Sequence, residues 1–486
     1  MNSPIKFTST LTDIVPVDFG TAVLQGFAPD GGLFVPNRLP RFSKKDLAEL
    51  KDLSYTDLCF QILSRFIDPA VIPSQDLNLL IKDSFKGFPP DVIPLAPCPD
   101  EAHSYILELF HGPTLSFKDI AMGFLVRAVD YLLKKENRRL NIVLATTGDT
   151  GPAAAHAAAN LSTINCWPLF PKAMITPEQE GQMTGIKAKN IHPVGVTNCP
   201  DGGDDLDQVV YNLFNDPVRK KRLKLSSVNS INWCRVMVQS VHYFYAYFRV
   251  CRLEKRQIGD PVIFSVPSGA FGNLFAGYLA RQMGLPVDTF ICAVNANQTL
   301  YRAFTQGIFQ PKNLIPTCSS AIDIVLPYNF WRFLYFASGC DKLKLRRWME
   351  ELEDTGRFEL DAASRKSITQ GFHSVSILDD LTLKTIKSFY ETDQSYLLDP
   401  HGAVAVAGAK AYNAKQDMPV VCFATAHPAK FPDVTAKALG LSESSPFPNA
   451  AQHTDLVNIP ESKANLTTCP LDNLEDYLIN AMETSL

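Results

Sequence analysis

The sequence predicts an α/β protein with largely parallel sheets, divided into more than one domain. Three observations carry this. Short β-branched strands alternate with helices through the middle of the chain. Two of those strands run directly into turns rich in glycine and small hydroxyl residues that open a helix, and a third ends at Thr425. At 486 residues the chain is too long for one core, since domains usually hold about 100–200 residues.

Residues 1–95 are turn-rich, as in Ala28-Pro29-Asp30-Gly31-Gly32, with helical stretches such as Lys44–Asp52. Pro89, Pro90, Pro94 and Pro97 then punctuate the chain and mark a first boundary. Asn141–Ala145 reads as a strand and Pro152–Asn160 as an alanine-rich helix. Asn165–Phe170 and His192–Val196 read as further strands. Asp205–Phe214 is amphipathic, with Leu206, Val209, Val210 and Leu213 at helical spacing. Val262–Val266, Phe290–Val294 and Val420–Ala424 are strands of the buried type, and Asn273–Met283 is a helix. The polar stretch Leu441–Leu486 is weakly patterned and is expected to be peripheral.

Composition narrows the function classes. Apolar residues make up 46% of the chain and charged residues 20%, an ordinary globular balance. The 46 basic and 50 acidic residues are mixed along the chain, giving a net charge of -4, so nucleic acid is not an expected partner. The 11 cysteines include no CxxC pair and sit mostly in apolar runs, which reads as buried, reduced thiols and no metal site. The segment MNSPIKFTST has no apolar stretch of the signal-peptide kind, and no run is long enough to span a bilayer. A cytoplasmic protein without a membrane partner is the expectation.

The three turns carry candidate chemistry. Thr146-Thr147-Gly148-Asp149-Thr150-Gly151 follows the strand Asn141–Ala145. Free N–H groups at a helix start suit an anion, while the plainer reading has Asp149 or Thr150 capping the helix. Pro267-Ser268-Gly269-Ala270-Phe271-Gly272-Asn273 repeats the design after Val262–Val266. It matches neither the dinucleotide nor the P-loop pattern, so a phosphate other than a nucleotide's is the remaining ligand class. The third turn, Thr425-Ala426-His427-Pro428-Ala429-Lys430-Phe431, places Thr425 at a strand's carboxyl end. A lone threonine there is more commonly a cap or loop residue.

Phe110-His111-Gly112-Pro113-Thr114-Leu115-Ser116-Phe117-Lys118-Asp119 holds a lysine that opens a helix with Ile120, Phe124, Ala128 and Leu132 on one face. Apolar surroundings let a lysine lose its proton, as amine nucleophiles must. A snorkelling lysine is the plainer alternative.

The segment Leu109–Asp119 closely resembles the cofactor-lysine segment of threonine synthases. So do, in order, GFAPDGGLFVP at 26–36, TGDTG at 147–151, NSINWCR at 229–235, SVPSGAFGN at 265–273, PHGAVA at 400–405 and ATAHPAKF at 424–431. The resemblance implies a fold-type II pyridoxal-phosphate (PLP) enzyme, like the tryptophan synthase β chain. It would have two open parallel-sheet domains behind an N-terminal domain, 1–95. The larger, PLP-binding domain is expected at 96–130 and 245–440, the smaller mobile one at 131–244, and a C-terminal extension at 441–486. By the same resemblance Lys118 would form the Schiff base with PLP. Gly269, Ala270, Phe271, Gly272 and Asn273 would hold the cofactor phosphate. Thr425 would bond the pyridine nitrogen, and Asp149 would lie near the 3′ oxygen. Thr146, Thr150, Asn229, Ser230 and Arg235 would meet the substrate and its phosphate. Without the resemblance, Asn229-Ser230 reads as a helix cap and Arg235 as a surface cation.

The implied reaction turns O-phospho-L-homoserine and water into L-threonine and phosphate, in a monomer or homodimer. This chain departs from the family pattern in three places. Ala270 replaces a common Asn and loses a side-chain contact. Thr147 replaces Ser and keeps the hydroxyl. Ser9-Thr10-Leu11 lacks the arginine of an STR motif. Ala270 is shared with threonine synthase-like proteins, some of whose relatives act as phospho-lyases yielding 2-oxobutyrate. A non-catalytic PLP-binding protein and a deaminase on the same fold are the other classes. The motifs assign no role to His111, Asp119 or His401, and His427 reads as structural.

Overall fold

The structure, a computed structural model, describes residues 3–485 apart from 100, 173, 201, 413–416, 443, 444 and 458–464. Val262–Pro267 is buried at every position, the expected pattern for a strand covered on both faces of a parallel sheet. It lies inside a six-stranded sheet, between Val287–Val294 and Val420–Ala424. Phe372–Ser376 flanks the former and Ser104–Glu108 the latter, all in parallel. Leu95–Pro97 closes one edge antiparallel to Ser104–Glu108.

A second sheet of five parallel strands is centred on Ile164–Pro171, with Leu140–Ala145 and then Leu225–Ser226 on one side. Val194–Thr197 and then Thr467–Pro470 lie on the other. The last strand comes from the stretch expected to be peripheral. It feeds the helix Leu471–Ser485, whose Leu474, Leu478 and Met482 are fully buried beside Leu206 and Leu213. The C-terminal stretch therefore completes the core of the smaller sheet. Its strand escaped notice because it is short and carries two threonines on an edge.

Phe7–Ser9 pairs antiparallel with Phe34–Pro36 in the N-terminal region. The helix Trp233–Leu253 is buried nearly all round; such a helix is core, not surface. It packs on Gly272–Gln282 and Lys118–Lys135. Gly277 makes this possible, because a Cβ there would lie 2.6 Å from the Tyr243 ring. Two expected domain boundaries, after 130 and after 244, fall inside the helices Lys118–Lys135 and Trp233–Leu253. Among the described residues no helix is long and apolar enough to cross a membrane. All 11 cysteines are free thiols, nine of them buried.

Candidate active site

The strands Leu140–Ala145, Val262–Pro267 and Val420–Ala424 each end at one of the three candidate turns. The carboxyl ends of parallel strands are where open α/β sheets bind ligands.

Lys118 is the first residue of its helix. The approach to it is over-determined. Leu115 adopts φ 58, and its carbonyl accepts from the His427 N–H at 3.1 Å. The Phe117 N–H donates to the Thr425 carbonyl at 2.9 Å. Thr114 donates from its N–H and its hydroxyl to Asp119, at 2.8 and 2.6 Å. A Cβ on Gly112 would come within 2.6 Å of the Asp119 side chain, so only glycine fits that turn. Asp119 is thus the anchor of the lysine loop.

The Lys118 side chain is 14% exposed, and its Nζ lies 3.7 Å from Asp149 Oδ2. Burial lowers its pKa, while Asp149 works against that and Arg235 and Lys430 work with it. Asp149 occupies the N-cap position of the helix Thr150–Ala158 but makes no capping bond. Its Oδ1 accepts from Lys430 Nζ at 2.7 Å and from Gln179 Nε2 at 3.1 Å. Burial alone would raise this carboxyl, but the ammonium groups of Lys430 and Lys118 prevail and hold it far below the ordinary range. Lys430 is fully buried and also donates to the Thr114 carbonyl at 2.8 Å. The sequence reading missed Lys430, although it lies in one of the quoted motifs. A lone lysine after a Pro-Ala pair carries no spacing signal, and its partner sits 281 positions away (430 − 149).

The glycine turn is built differently. Phe271 sits in the left-handed region, φ 63, as the N-cap of Gly272–Gln282, and no side chain caps that helix. The first N–H groups of a helix lack intrahelical acceptors, so this end is left for a ligand. Asn273 is held from behind: its Oδ1 lies 2.9 Å from His242 Nε2, and its carbonyl accepts from the Tyr243 hydroxyl at 2.9 Å. Its buried Nδ2 has no protein partner. Gly269 closes on the segment Ser320–Ile322, where a Cβ would lie 2.8 Å from Ile322 Cα. The Ala270 carbonyl accepts from Asn329 N–H at 3.4 Å.

Ser230, next to Asn229 in the chain, abuts this turn. A Cβ at Gly272 would stand 3.8 Å from Ser230 Cβ, and Asn329 Nδ2 donates to the Ser230 carbonyl at 3.1 Å. The helix that follows is capped by Asn232, not by Asn229 or Ser230. Arg235, read from the bare sequence as a surface cation, is 2% exposed. Burial pulls it down to about 10, which leaves it charged at neutral pH. Its Nη1 donates to the Val228 carbonyl at 3.2 Å, and no carboxylate pairs with it among the described residues. Arg235 Nε and Asn229 Oδ1 are buried without partners. A buried guanidinium with no counter-ion is costly and calls for an anion.

Thr146 does not present its hydroxyl to a ligand. The oxygen accepts from the N–H groups of Gly148 and Gly151 at 3.2 and 3.1 Å, and donates to the Gly148 carbonyl at 3.0 Å. Thr150 starts the following helix. The three histidines of the quoted motifs are each held by near neighbours. His111 Nε2 lies 2.7 Å from Glu108. His401 Nδ1 faces Asp399 at 2.7 Å, and its Nε2 accepts from the Ala321 N–H at 3.0 Å, so it holds the segment beneath Gly269. His427 Nδ1 accepts from the Ala429 N–H at 3.1 Å.

The residues fit PLP: an uncapped helix start and an orphaned amide for a phosphate, and a buried amine to meet an aldehyde. The comparisons agree. Residues 6–85 match the profile of the threonine synthase N terminus, 94–425 that of pyridoxal-phosphate dependent enzymes, and 402–477 that of the threonine synthase C-terminal region. Threonine synthase of Saccharomyces cerevisiae is 35% identical over 481 residues, covering 93% of this chain and 91% of its own. Threonine synthase-like 2 of Xenopus laevis is 36% identical, covering 89% and 90%. The crystal structure of PLP-bound threonine synthase from Brucella melitensis superposes with a TM-score of 0.88 at 35% identity, over 98% of this chain and 99% of that one. Site geometry, profiles and relatives converge: the chain belongs to the threonine synthase family of pyridoxal-phosphate-dependent enzymes.

Proposed function

We propose that this protein converts O-phospho-L-homoserine and water to L-threonine and inorganic phosphate, with PLP carried on Lys118. The observation that carries the reading is Arg235: a buried guanidinium with no carboxylate partner among the described residues, near enough to Lys118 to depress its amine, offers the site a second anion position. In this reading Gly269, Ala270, Phe271, Gly272 and Asn273 grip the cofactor phosphate, Thr425 meets the ring nitrogen and Asp149 lies near the 3′ oxygen. Thr150, Asn229, Ser230 and Arg235 grip the substrate phosphate, with Thr146 setting the turn that presents Thr150.

When bound, PLP supplies an electron sink for charge left at the substrate α-carbon. Lys118, once its amine is free, removes the α-proton. Its long stem can then serve the neighbouring carbons, taking a β-proton and returning a proton to the γ-carbon after phosphate departs. Arg235 holds the phosphate as it leaves, water adds at the β-carbon, and the proton taken from the α-carbon is returned there. Burial lowers the pKa of the Lys118 amine, which favours its neutral form more than in an exposed lysine.

Ala270 and the likeness to threonine synthase-like 2 favour a second reading, in which O-phosphohomoserine or O-phosphothreonine reacts with water to give phosphate, ammonia and 2-oxobutyrate. Incubation with O-phospho-L-homoserine, followed by product separation, decides. Threonine and phosphate in equal amounts support the first reading, and keto acid without threonine replaces it by the second. Borohydride reduction of the PLP-loaded protein should label Lys118; a label on another lysine overturns the site. The reading is completed by a monomeric or homodimeric state and by a cytoplasmic location, the latter supported by the free, mostly buried thiols.

A further inference from the structure

We infer that Lys430 is a positioning residue for the catalytic amine: it holds Asp149 as a permanent anion, so that Lys118 can gain and lose a proton without leaving that carboxylate bare. The inference rests on the functional reading above, in which Lys118 carries PLP and moves protons.

The two oxygens of Asp149 are divided between two lysines. Oδ1 takes Lys430 at 2.7 Å, and Oδ2 faces Lys118 at 3.7 Å. The shorter contact belongs to the lysine that does no chemistry. Lys430 is fixed at its other side by the Thr114 carbonyl, at 2.8 Å. Thr114 in turn is clamped by Asp119, and its carbonyl also accepts from Gln182 Nε2 at 3.1 Å. Asp149 is fixed by Gln179 at 3.1 Å. Lys430 and Lys118 belong to segments of the six-stranded sheet, whereas Asp149 follows a strand of the five-stranded one. The pair therefore locks the acid of one layer to a cation of the other.

Charge explains why a second lysine is needed. Asp149 is 2% exposed and Lys430 is fully buried. A buried carboxylate without a partner is strongly destabilised. If Lys118 were its only partner, every deprotonation of Lys118 would orphan Asp149. The carboxylate would then pull a proton back onto the amine. With Lys430 in place, Lys118 faces a nearly neutral pair. The remaining charged groups that face Lys118 are Arg235 and Asp119, and Asp119 is engaged by Thr114. Removing the Lys430 charge strips one repulsion from Lys118 and leaves Asp149 to it alone, so both changes favour the protonated nitrogen.

The test is a pH titration of the visible absorbance of the PLP-loaded protein, which reads protonation of the nitrogen that joins Lys118 to the cofactor. Lys430→Met should move the midpoint upward by about one pH unit or more. Lys430→Arg, which keeps the charge, should stay close to the wild type. Lys430→Gln keeps a donor for Thr114 and carries the same expectation as Met if the Met variant does not fold. A folded neutral variant with an unmoved midpoint overturns the inference, as does an Arg variant that shifts as far as the neutral one. A wild-type protein with no visible band after loading overturns the functional reading itself, and this inference with it.

Discussion

The turns at 146–151 and 268–273 have the same design in sequence: a buried parallel strand, small and hydroxyl residues, two glycines, a helix. In the fold they do opposite jobs. The first is closed on itself. The Thr146 hydroxyl serves three backbone groups, and Gly151 leaves room for it, since a Cβ there would lie 2.5 Å from Thr146 Cγ2. What this turn positions is the Asp149 carboxylate and, in the proposed reading, the Thr150 hydroxyl beside it. The second turn is open. Its Ser268 hydroxyl points back to the Val266 carbonyl at 3.0 Å, its N-cap residue caps nothing, and the Asn273 amide is orphaned. A turn satisfied by its own side chain positions a group, whereas a turn that leaves donors unsatisfied receives one. The distinction lies in where hydrogen bonds end, which motif matching does not record.

Four perturbations test the difference between the two turns. The largest effect is expected for Arg235→Leu. Loss of a charge-assisted, desolvated contact should cost about 3 kcal/mol, or roughly a hundredfold in kcat/KM for a phosphorylated substrate. PLP affinity, followed by absorbance, should change little. If the cofactor is lost as well, the two anion positions beside the open turn are not separate.

The second is a pH effect to which the residue behind the open turn contributes. Burial pushes His242 down to about 4, whereas an unfolded histidine titrates near 6.5. The unfolded chain therefore binds a proton that the folded one refuses, so stability should fall as pH drops from about 6.5 and level off below about 4. The loss is on the order of 3 kcal/mol, read from denaturant midpoints between pH 7 and pH 4. His242→Gln should flatten this component of the slope; an unchanged slope would remove His242 from the account.

Third, Asn273→Ala should weaken PLP binding by about tenfold, since it deletes one hydrogen bond to a charged group, while the KM for substrate moves less. Equal loss of both would mean that Asn273 serves the whole site and not the cofactor phosphate. Smallest is Thr146→Val. It should lower stability by about 1–2 kcal/mol, because two buried N–H groups lose their acceptor. PLP affinity should stay near the wild-type value, and a large drop would show that the closed turn also binds.

The contrast also marks how far the sequence was legible. Val420–Ala424 is a strand over the residues expected, and Leu140–Ala145 and Val262–Pro267 differ from expectation by one residue at an end. Burial on both faces makes such strands continuous apolar runs, which are easy to read. The strand Thr467–Pro470 was not legible, because a short edge strand needs little apolar pattern. The open turn and the lysine segment were legible as chemistry. The closure of the Thr146 turn, the burial of Arg235 and the pairing of Lys430 with Asp149 were not.

Sequence by itself determined the strands, the turns and the helix that Lys118 opens, since these follow from residue periodicity and the steric demands of glycine and proline over a few positions. Tertiary structure alone decided which charges meet. Lys118, Asp149, Arg235 and Lys430 come from four separate segments of a 486-residue chain, and their properties arise only once water is excluded around them. A charge in water is screened and nearly indifferent to its neighbours, whereas the same charge in a buried site must find a partner, and only the fold supplies one.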